Sequence, residues 1–317
     1  MPLPDDHLAY PQRHHGMDHD RYAWSDLVDR PPVRWPNGAR VALWVAPLLQ
    51  WFPLNSSAKP FRAPGGLTMP YPDLRHYTNR DYGNRVGIYR ILDVLAELGI
   101  RGSVMANAAI AERYPKLIRD VAAAGHEIVA HGIDMEHPHH SGLSVEDETA
   151  LVRRSLELLR EGSGQPVTGW LSPGRAESYA TPDILAAEGV TYSCDWANDD
   201  MPYRMRTASG SLHAMPFAQE TDDRTVLLDF HHTEDDWLLQ VKDRFDVLYR
   251  EAGRLGGGRV VSLPLHAWVV GVPYRIGIVR EALSYMIGHE GVRAATGAEI
   301  LDAFTAGETA PAEARHE

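Results

Sequence analysis

The sequence predicts an α/β protein, either a parallel barrel or a doubly wound sheet, and three observations carry that expectation. Short apolar runs alternate with segments of 3.6-residue apolar periodicity along most of the chain. Several runs are apolar at consecutive rather than alternate positions, as strands covered on both faces must be. Side chains fit for chemistry stand directly after such runs, above all His131 and His266, and parallel α/β folds place function at that end of their strands.

Residues 1–35 are rich in Pro, His, Asp and Arg and lack an apolar period, so they read as an irregular arm, with Pro31, Pro32 and Pro36 barring a helix. After the turn Pro36-Asn37-Gly38, residues 40–49 read as the first buried strand. The Pro-, Gly- and Tyr-rich stretch 51–84 reads as a long functional loop that could close a site or cover a neighbouring subunit. Residues 86–98 predict a helix ended by Gly99, with Ile88, Ile91, Leu92, Leu95 and Leu98 on one stripe. A strand at 102–105 and helices across 109–124 follow, the second opened by Pro115. Ser144-Val145-Glu146-Asp147 resembles a capping box, opening a helix striped by Val145, Thr149, Val152, Leu156 and Leu159. Strand, helix and strand are expected at 169–171, 181–188 and 192–194. Further on, 212–215 and 226–229 read as strands, 237–253 as an amphipathic helix, 260–265 as a strand and 273–287 as a helix. A last strand and helix, 293–295 and 297–304, precede a polar tail. Residues 36–305 are therefore expected to form one domain and 306–317 a frayed end.

The chain has 317 residues and a net charge of −12, which disfavours nucleic acid as a partner, because phosphate binding needs clustered Lys and Arg. Asp199-Asp200, Asp222-Asp223 and residues 234–236 form local acidic clusters of the kind found in solvated turns. No apolar run of about 18 residues is present, so no membrane partner is expected. Without a basic start followed by an apolar core, the N-terminus does not read as a secretory signal, and a cytoplasmic location is expected. One cysteine, Cys194, leaves neither an internal disulfide nor a cysteine-rich metal site. The expected partner is a small molecule, with self-association into a homo-oligomer.

Residues 124–140, AGHEIVAHGIDMEHPHH, are where the chemistry concentrates. Strand alternation puts Glu127, Val129 and His131 on one face. Gly132 then lets the chain turn, so that His131 can sit at the mouth of a cleft. His139 and His140 read as solvated loop histidines.

Five segments together resemble the polysaccharide deacetylase superfamily: ARVALWVAPLLQWF, GHEIVAHGIDMEHP, GWLSPGRAES, SCDWANDDMPY and LPLHAWVVGVPYR. DYGNRVGIYRILDVL, Asp199-Asp200-Met201-Pro202-Tyr203 and RFDVLYREA are similar to its allantoinase-like and cyclic-imide-hydrolase-like branch. The resemblance implies a distorted parallel (β/α) barrel with its site at the C-terminal strand ends. Typical members bind a divalent metal through an Asp ending the first strand and a His-x-x-x-His pair, with a neighbouring Asp as base. Here His131 takes the first histidine position, Met135 stands four residues on, and the first strand ends Leu48-Leu49-Gln50 without a carboxylate. One imidazole does not hold a catalytic metal. A rearranged site around His131 and His137, helped by Asp134, Glu136, His139 or His140, is opposed by Pro138 and the close spacing. No cofactor is therefore expected.

The resemblance further implies that His266 protonates the leaving group and that Arg175 sits in the third family motif. Amide hydrolysis also needs an activated water and an oxyanion donor. His131 or Arg175 fits the donor, while Asp195, Asp199 or Glu136 could be the base. His266, His131 and Asp195 are thus the expected catalytic residues, and Arg175, Glu136, Asp199, Asp200 and Trp268 the expected substrate-binding ones. The expected activity is hydrolysis of a non-peptide carbon–nitrogen bond in a small cyclic amide, imide or ureide. The alternatives are a polysaccharide or amino-sugar deacetylase and a catalytically silent small-molecule-binding member.

Overall fold

A computed structural model describes residues 19–55, 72–254 and 257–309. Expectations for residues 1–18, 56–71 and 310–317 lie outside the described residues.

Strand β1 (Val41–Leu49) explains the architecture, because every one of its residues is buried. Val41, Leu43, Val45 and Leu49 join the core beneath the helices, whereas Ala42, Trp44, Ala46 and Leu48 face a second core inside the curl of the sheet. An uninterrupted apolar run is what two covered faces require. Strand β8 (Arg259–His266) runs parallel along one edge of β1, in register from Val41↔Arg259 to Leu48↔His266. The other edge is shared between β9 (Val292–Ala294), beside the first half, and β2 (Ser103–Ala106), beside Leu48 and Leu49. Beyond β2 come β3 (Glu127–Ala130), β4 (Gly169–Trp170), β5 (Tyr192–Ser193), β7 (Leu212–Ala214) and an antiparallel β6 (Tyr203–Met205). The order is β6-β7-β5-β4-β3-β2-β1-β8, a curled and mostly parallel sheet with helices outside. Between β7 and β8 the curl is bridged not by strand pairing but by the Ala218 N–H donating to Ser262 Oγ at 2.9 Å.

The helices have legible causes. Helix α1 (Leu74–Tyr82) leads through a π-helical turn, Gly83–Gly87, into α2 (Ile88–Glu97). Pro115 opens α4 (Pro115–Ala123) after the short α3 (Ala108–Arg113). Ser144 caps α5 (Val145–Ser163), its Oγ accepting the Asp147 N–H at 3.1 Å, and left-handed Gly164 ends it. The remaining helices are α6 (Thr181–Ala187), α7 (Glu234–Arg254), α8 (Ile276–Ile287) and α9 (Gly297–Thr309).

Several expectations are corrected. Residues 226–229 are not a strand but part of a π-helical turn, Thr225–Asp229; a short buried apolar run has no period that separates the two. The loop expected to Asn84 becomes helical at Leu74, where Asp73 caps the His76 N–H; the helix is mostly polar and so left no apolar stripe. Strand β6 was not foreseen. The helix expected from Pro273 starts at Ile276, and α9 runs to Thr309, into the stretch expected to fray. Of the arm, the described part is tied down by Arg21 to Asp183, Arg30 to Asp199 and the Trp35 indole N–H to the Arg259 carbonyl.

Candidate active site

His131 leaves the end of β3 where the chain must turn sharply. Gly132 has φ +66, and a Cβ there would overlap the Pro173 ring, so only glycine fits. The His131 imidazole is buried and engaged on both nitrogens. Its Nδ1 lies 2.8 Å from the Leu171 carbonyl, which only accepts, so Nδ1 carries the proton and Nε2 is the lone pair. That lone pair faces Gln50 Nε2 at 3.2 Å. The amide orientation follows from its other end, where Gln50 Oε1 accepts the Trp268 indole N–H at 3.3 Å. Burial, reinforced by the nearby charges of His266 and Arg175, lowers the imidazole to about 4 despite the Leu171 carbonyl. His131 is a neutral, fully bonded histidine.

His266 ends β8 at the same edge of the sheet, in register with Leu48, two residues before Gln50. Its partners are of the opposite kind. Asp223 accepts the His266 backbone N–H at 2.9 Å and the Nδ1–H at 2.7 Å, and Asp222 Oδ2 lies 3.7 Å from the same Nδ1. Burial would depress this imidazole, but Asp222 and Asp223 together outweigh it and hold the pKa above the ordinary value. With Nδ1–H committed to Asp223, Nε2–H is the donor left for a substrate.

The wall beside both histidines depends on close backbone approach. A Cβ on Gly87 would overlap the Ala267 carbonyl oxygen, and one on Gly83 the Trp268 backbone, so the π-helical turn lies directly on the segment after His266. The same segment carries Trp268, whose ring meets His266 edge-on with centroids 6.3 Å apart. Arg80 stacks on Phe52 at 4.1 Å and lies 5.4 Å from the Trp268 centroid; burial pushes its pKa down to about 10 against the pull of Asp73.

Arg175, held with φ +54 after β4, reaches the same cleft: its charge bears on His131, and Asp222 is the carboxylate that acts on it most strongly. Nη2 donates to the Ala218 carbonyl at 3.1 Å, while Nη1 is buried and hydrogen-bonded to nothing among the described residues. Such a guanidinium suits an oxyanion or a carboxylate.

The other expected site residues fare differently. Asp195 has its oxygens occupied by the Ser172 N–H at 2.7 Å and by the hydroxyls of Ser172 and Ser193. Burial raises it, and burial together with the Asp195 charge raises Glu177 well above the carboxylate range. Asp195 is thus a bonded buried group, not a base facing the cleft. Asp199 pairs with Arg30 at 2.7 Å and caps the Met201 N–H. Asp200 lies 3.8 Å from Arg244, and both aspartates line a cavity of about 360 Å³ on the seam between β7 and β8, at the level of Ser262. Four strand residues, about 13 Å, separate Ser262 from His266. Glu136 is buried in the turn after His131, its backbone N–H held by Asp134, which also holds His137 Nδ1 at 2.7 Å. His139 is not solvated: it is buried against Glu148 at 2.9 Å. Glu127 does share the interior face with His131, but it lies at the opposite end of β3, bonded to Ser103 and Tyr192.

The family metal does not fit this donor set. The His131 lone pair is taken by an amide N–H, and the residue four positions on is a buried Met135 thioether, a poor partner for a hard cation. His137 is occupied locally by Asp134. Among the described residues the group able to converge on an ion is Asp222, Asp223 and His266. There both Asp223 oxygens and the Nδ1 proton are already committed to each other.

Sequence reasoning missed Gln50, Asp222 and Asp223. Gln50 was visible as the residue ending β1 but counted only as an absent carboxylate. Asp222-Asp223 carried the pattern of a solvated turn, and nothing local indicated that it folds beneath His266, 43 residues on.

Residues 72–193 match the polysaccharide deacetylase family model. A Helicobacter pylori peptidoglycan deacetylase is 24% identical over 256 residues, covering 70% of this chain and 85% of its own. The crystal structure of Puue allantoinase superposes with a TM-score of 0.77 at 26% identity, covering 89% of this chain and 97% of that one. A probable polysaccharide deacetylase from Pseudomonas aeruginosa PAO1 gives 0.77 at 25%, covering 89% and 98%.

Proposed function

We propose that this chain, whose residues 72–193 match the polysaccharide deacetylase family model, hydrolyses a non-peptide carbon–nitrogen bond in a small cyclic amide, imide or ureide, without a metal. The observation that carries this reading is the contrast at the cleft. The acid, His266 on Asp223, is complete, whereas the His131 lone pair that a metal would need is held by Gln50. An N-acetyl amide is a poor electrophile with a poor leaving group, and a metal offsets both. In a cyclic imide or ureide the departing nitrogen is stabilised by a second carbonyl, so a protonating acid and an oxyanion donor go further. His266 Nε2–H supplies the proton, and Arg175, whose buried Nη1 has no hydrogen-bond partner among the described residues, is the oxyanion donor of this reading.

A second reading, deacetylation of an amino-sugar polymer, is favoured by the family model and by the names of the curated and crystallographic relatives. One assay separates the two. Untagged protein is offered hydantoin, succinimide and allantoin on one side and N-acetylglucosamine oligomers on the other, each with chelator and with added zinc or manganese. Turnover of a cyclic substrate that survives chelation is the expected result. Metal-dependent acetate release from the oligomers, with the cyclic compounds untouched, would establish the second reading instead.

A further inference from the structure

The amide-hydrolase reading leaves the general base unassigned, and the inference that follows rests on that reading. Of the carboxylates nominated from sequence, Glu136 is buried in the turn after His131, and the others are bonded or placed elsewhere. Asp195 is occupied by Ser172 and Ser193, Asp199 is paired with Arg30, and Asp200 lies on the seam with Arg244. Asp223 has both oxygens on His266 and no exposure. Asp222 differs. Its Oδ1 accepts the Thr225 N–H at 2.9 Å, which fixes the carboxylate plane. Its Oδ2 accepts no hydrogen bond from a described residue and stands 3.7 Å from His266 Nδ1. The side chain is 10% exposed, buried enough to be held yet within reach of water. Asp222 is also the acid whose charge acts on the Arg175 guanidinium most strongly. Asp222 thus stands beside His266 and within electrostatic reach of Arg175.

We propose that Asp222 is the general base of this cleft, the group that takes the proton from the attacking water. In the step the water oxygen bonds to the substrate carbonyl carbon while one of its protons moves to Asp222 Oδ2. The carbonyl π pair moves onto oxygen beside Arg175. As the tetrahedral adduct collapses, the C–N bond breaks and its electron pair stays on nitrogen, which takes the proton of His266 Nε2. The proton on Asp222 then returns to His266 through solvent. Water and amide give acid and amine, with nothing further consumed. The base thus comes from the loop after β7, beside the acid it works with, rather than from the end of β1.

The experiment uses the full chain with p-nitrophenyl acetate, an activated ester that needs an activated water but whose nitrophenolate leaves without a proton. The cyclic amides are run in parallel. Asp222→Asn, which can still cap Thr225, is expected to lower ester hydrolysis about 100-fold or more with KM nearly unchanged. Asp222→Ala is expected to regain at least about tenfold on addition of formate or azide, which wild type does not, because a small anion can occupy the vacated position. Asp229→Asn, an exposed acid on the same turn, serves as the control and keeps the wild-type rate. His266→Gln is expected to harm amide turnover far more than ester turnover. Ester hydrolysis by Asp222→Asn within about threefold of wild type would overturn the assignment. A loss in Asp222→Ala that no anion repairs would do the same, since a purely structural cap is not replaced by formate. So would wild type failing to hydrolyse the ester above buffer. If the ester results hold while no cyclic amide reacts, the substrate reading fails and the base stands.

Discussion

Two histidines follow strands at one edge of the sheet, and their surroundings push their pKa values in opposite directions. His131 gives its proton to a backbone carbonyl and its lone pair to an amide, so in a buried setting nothing offsets the cost of a positive charge. His266 is equally buried, yet two carboxylates face its Nδ1, and the same burial strengthens their attraction for an imidazolium. Depth therefore does not set protonation. The partner's formal charge does, and the cleft consequently holds one fixed neutral group and one proton donor.

The sharpest way to break this comparison is to delete the donor. His266→Gln is expected to lower turnover by roughly two to four orders of magnitude with ligand affinity nearly unchanged, measured by steady-state kinetics against calorimetric binding. A packing histidine would instead show a lower melting temperature and a normal rate per folded molecule.

Stability against pH tests the two protonation states with opposite signs. For His131 the folded value of about 4 lies below the ordinary 6.5, so the unfolded chain binds the proton more readily. Its contribution is present above pH 6.5 and is lost as pH falls towards 4, about 3 kcal/mol in all. His266, raised in the folded state, contributes below its ordinary value and loses that contribution as pH rises. Chemical denaturation from pH 7 to 4 should therefore show wild type losing about 3 kcal/mol more than His131→Gln. Parallel curves for the two proteins would mean that His131 is not locked neutral.

Gln50→Glu turns the first site into a copy of the second. A carboxylate at the His131 lone pair is expected to raise that imidazole by about one to three pKa units, followed by its ring-proton resonances during titration. An unmoved resonance would show that Gln50 does not contact Nε2.

The smallest expected effect concerns Asp195. Asp195→Asn weakens a buried group that only accepts from Ser172 and Ser193, so turnover is expected to stay within about tenfold and the melting temperature to drop by a few degrees. A loss of several hundredfold at unchanged melting temperature would return Asp195 to the catalytic set.

The sequence by itself determined the strands that carry the chemistry and the positions where they end. Apolar runs at 40–49 and 260–265 are local signals, legible because a strand buried on both faces is apolar at nearly every position. The same holds for Gly132, whose turn follows from one residue's φ, and for the Ser144 cap. His131, Arg175 and His266 could be singled out because each closes such a run, and Trp268 because it belongs to the same motif. Only the tertiary structure decided what these groups do, because hydrogen-bond partners come from distant segments and no local pattern encodes them. Gln50 reaches His131 across 81 residues and Asp223 reaches His266 across 43. From sequence Asp195 is one of three possible bases, with Asp199 and Glu136, and the fold turns it onto Ser172 and Ser193 instead. A turn of two aspartates reads as solvent-facing until the fold brings the segment after β7 to the end of β8, where the pair is buried against the His266 imidazole.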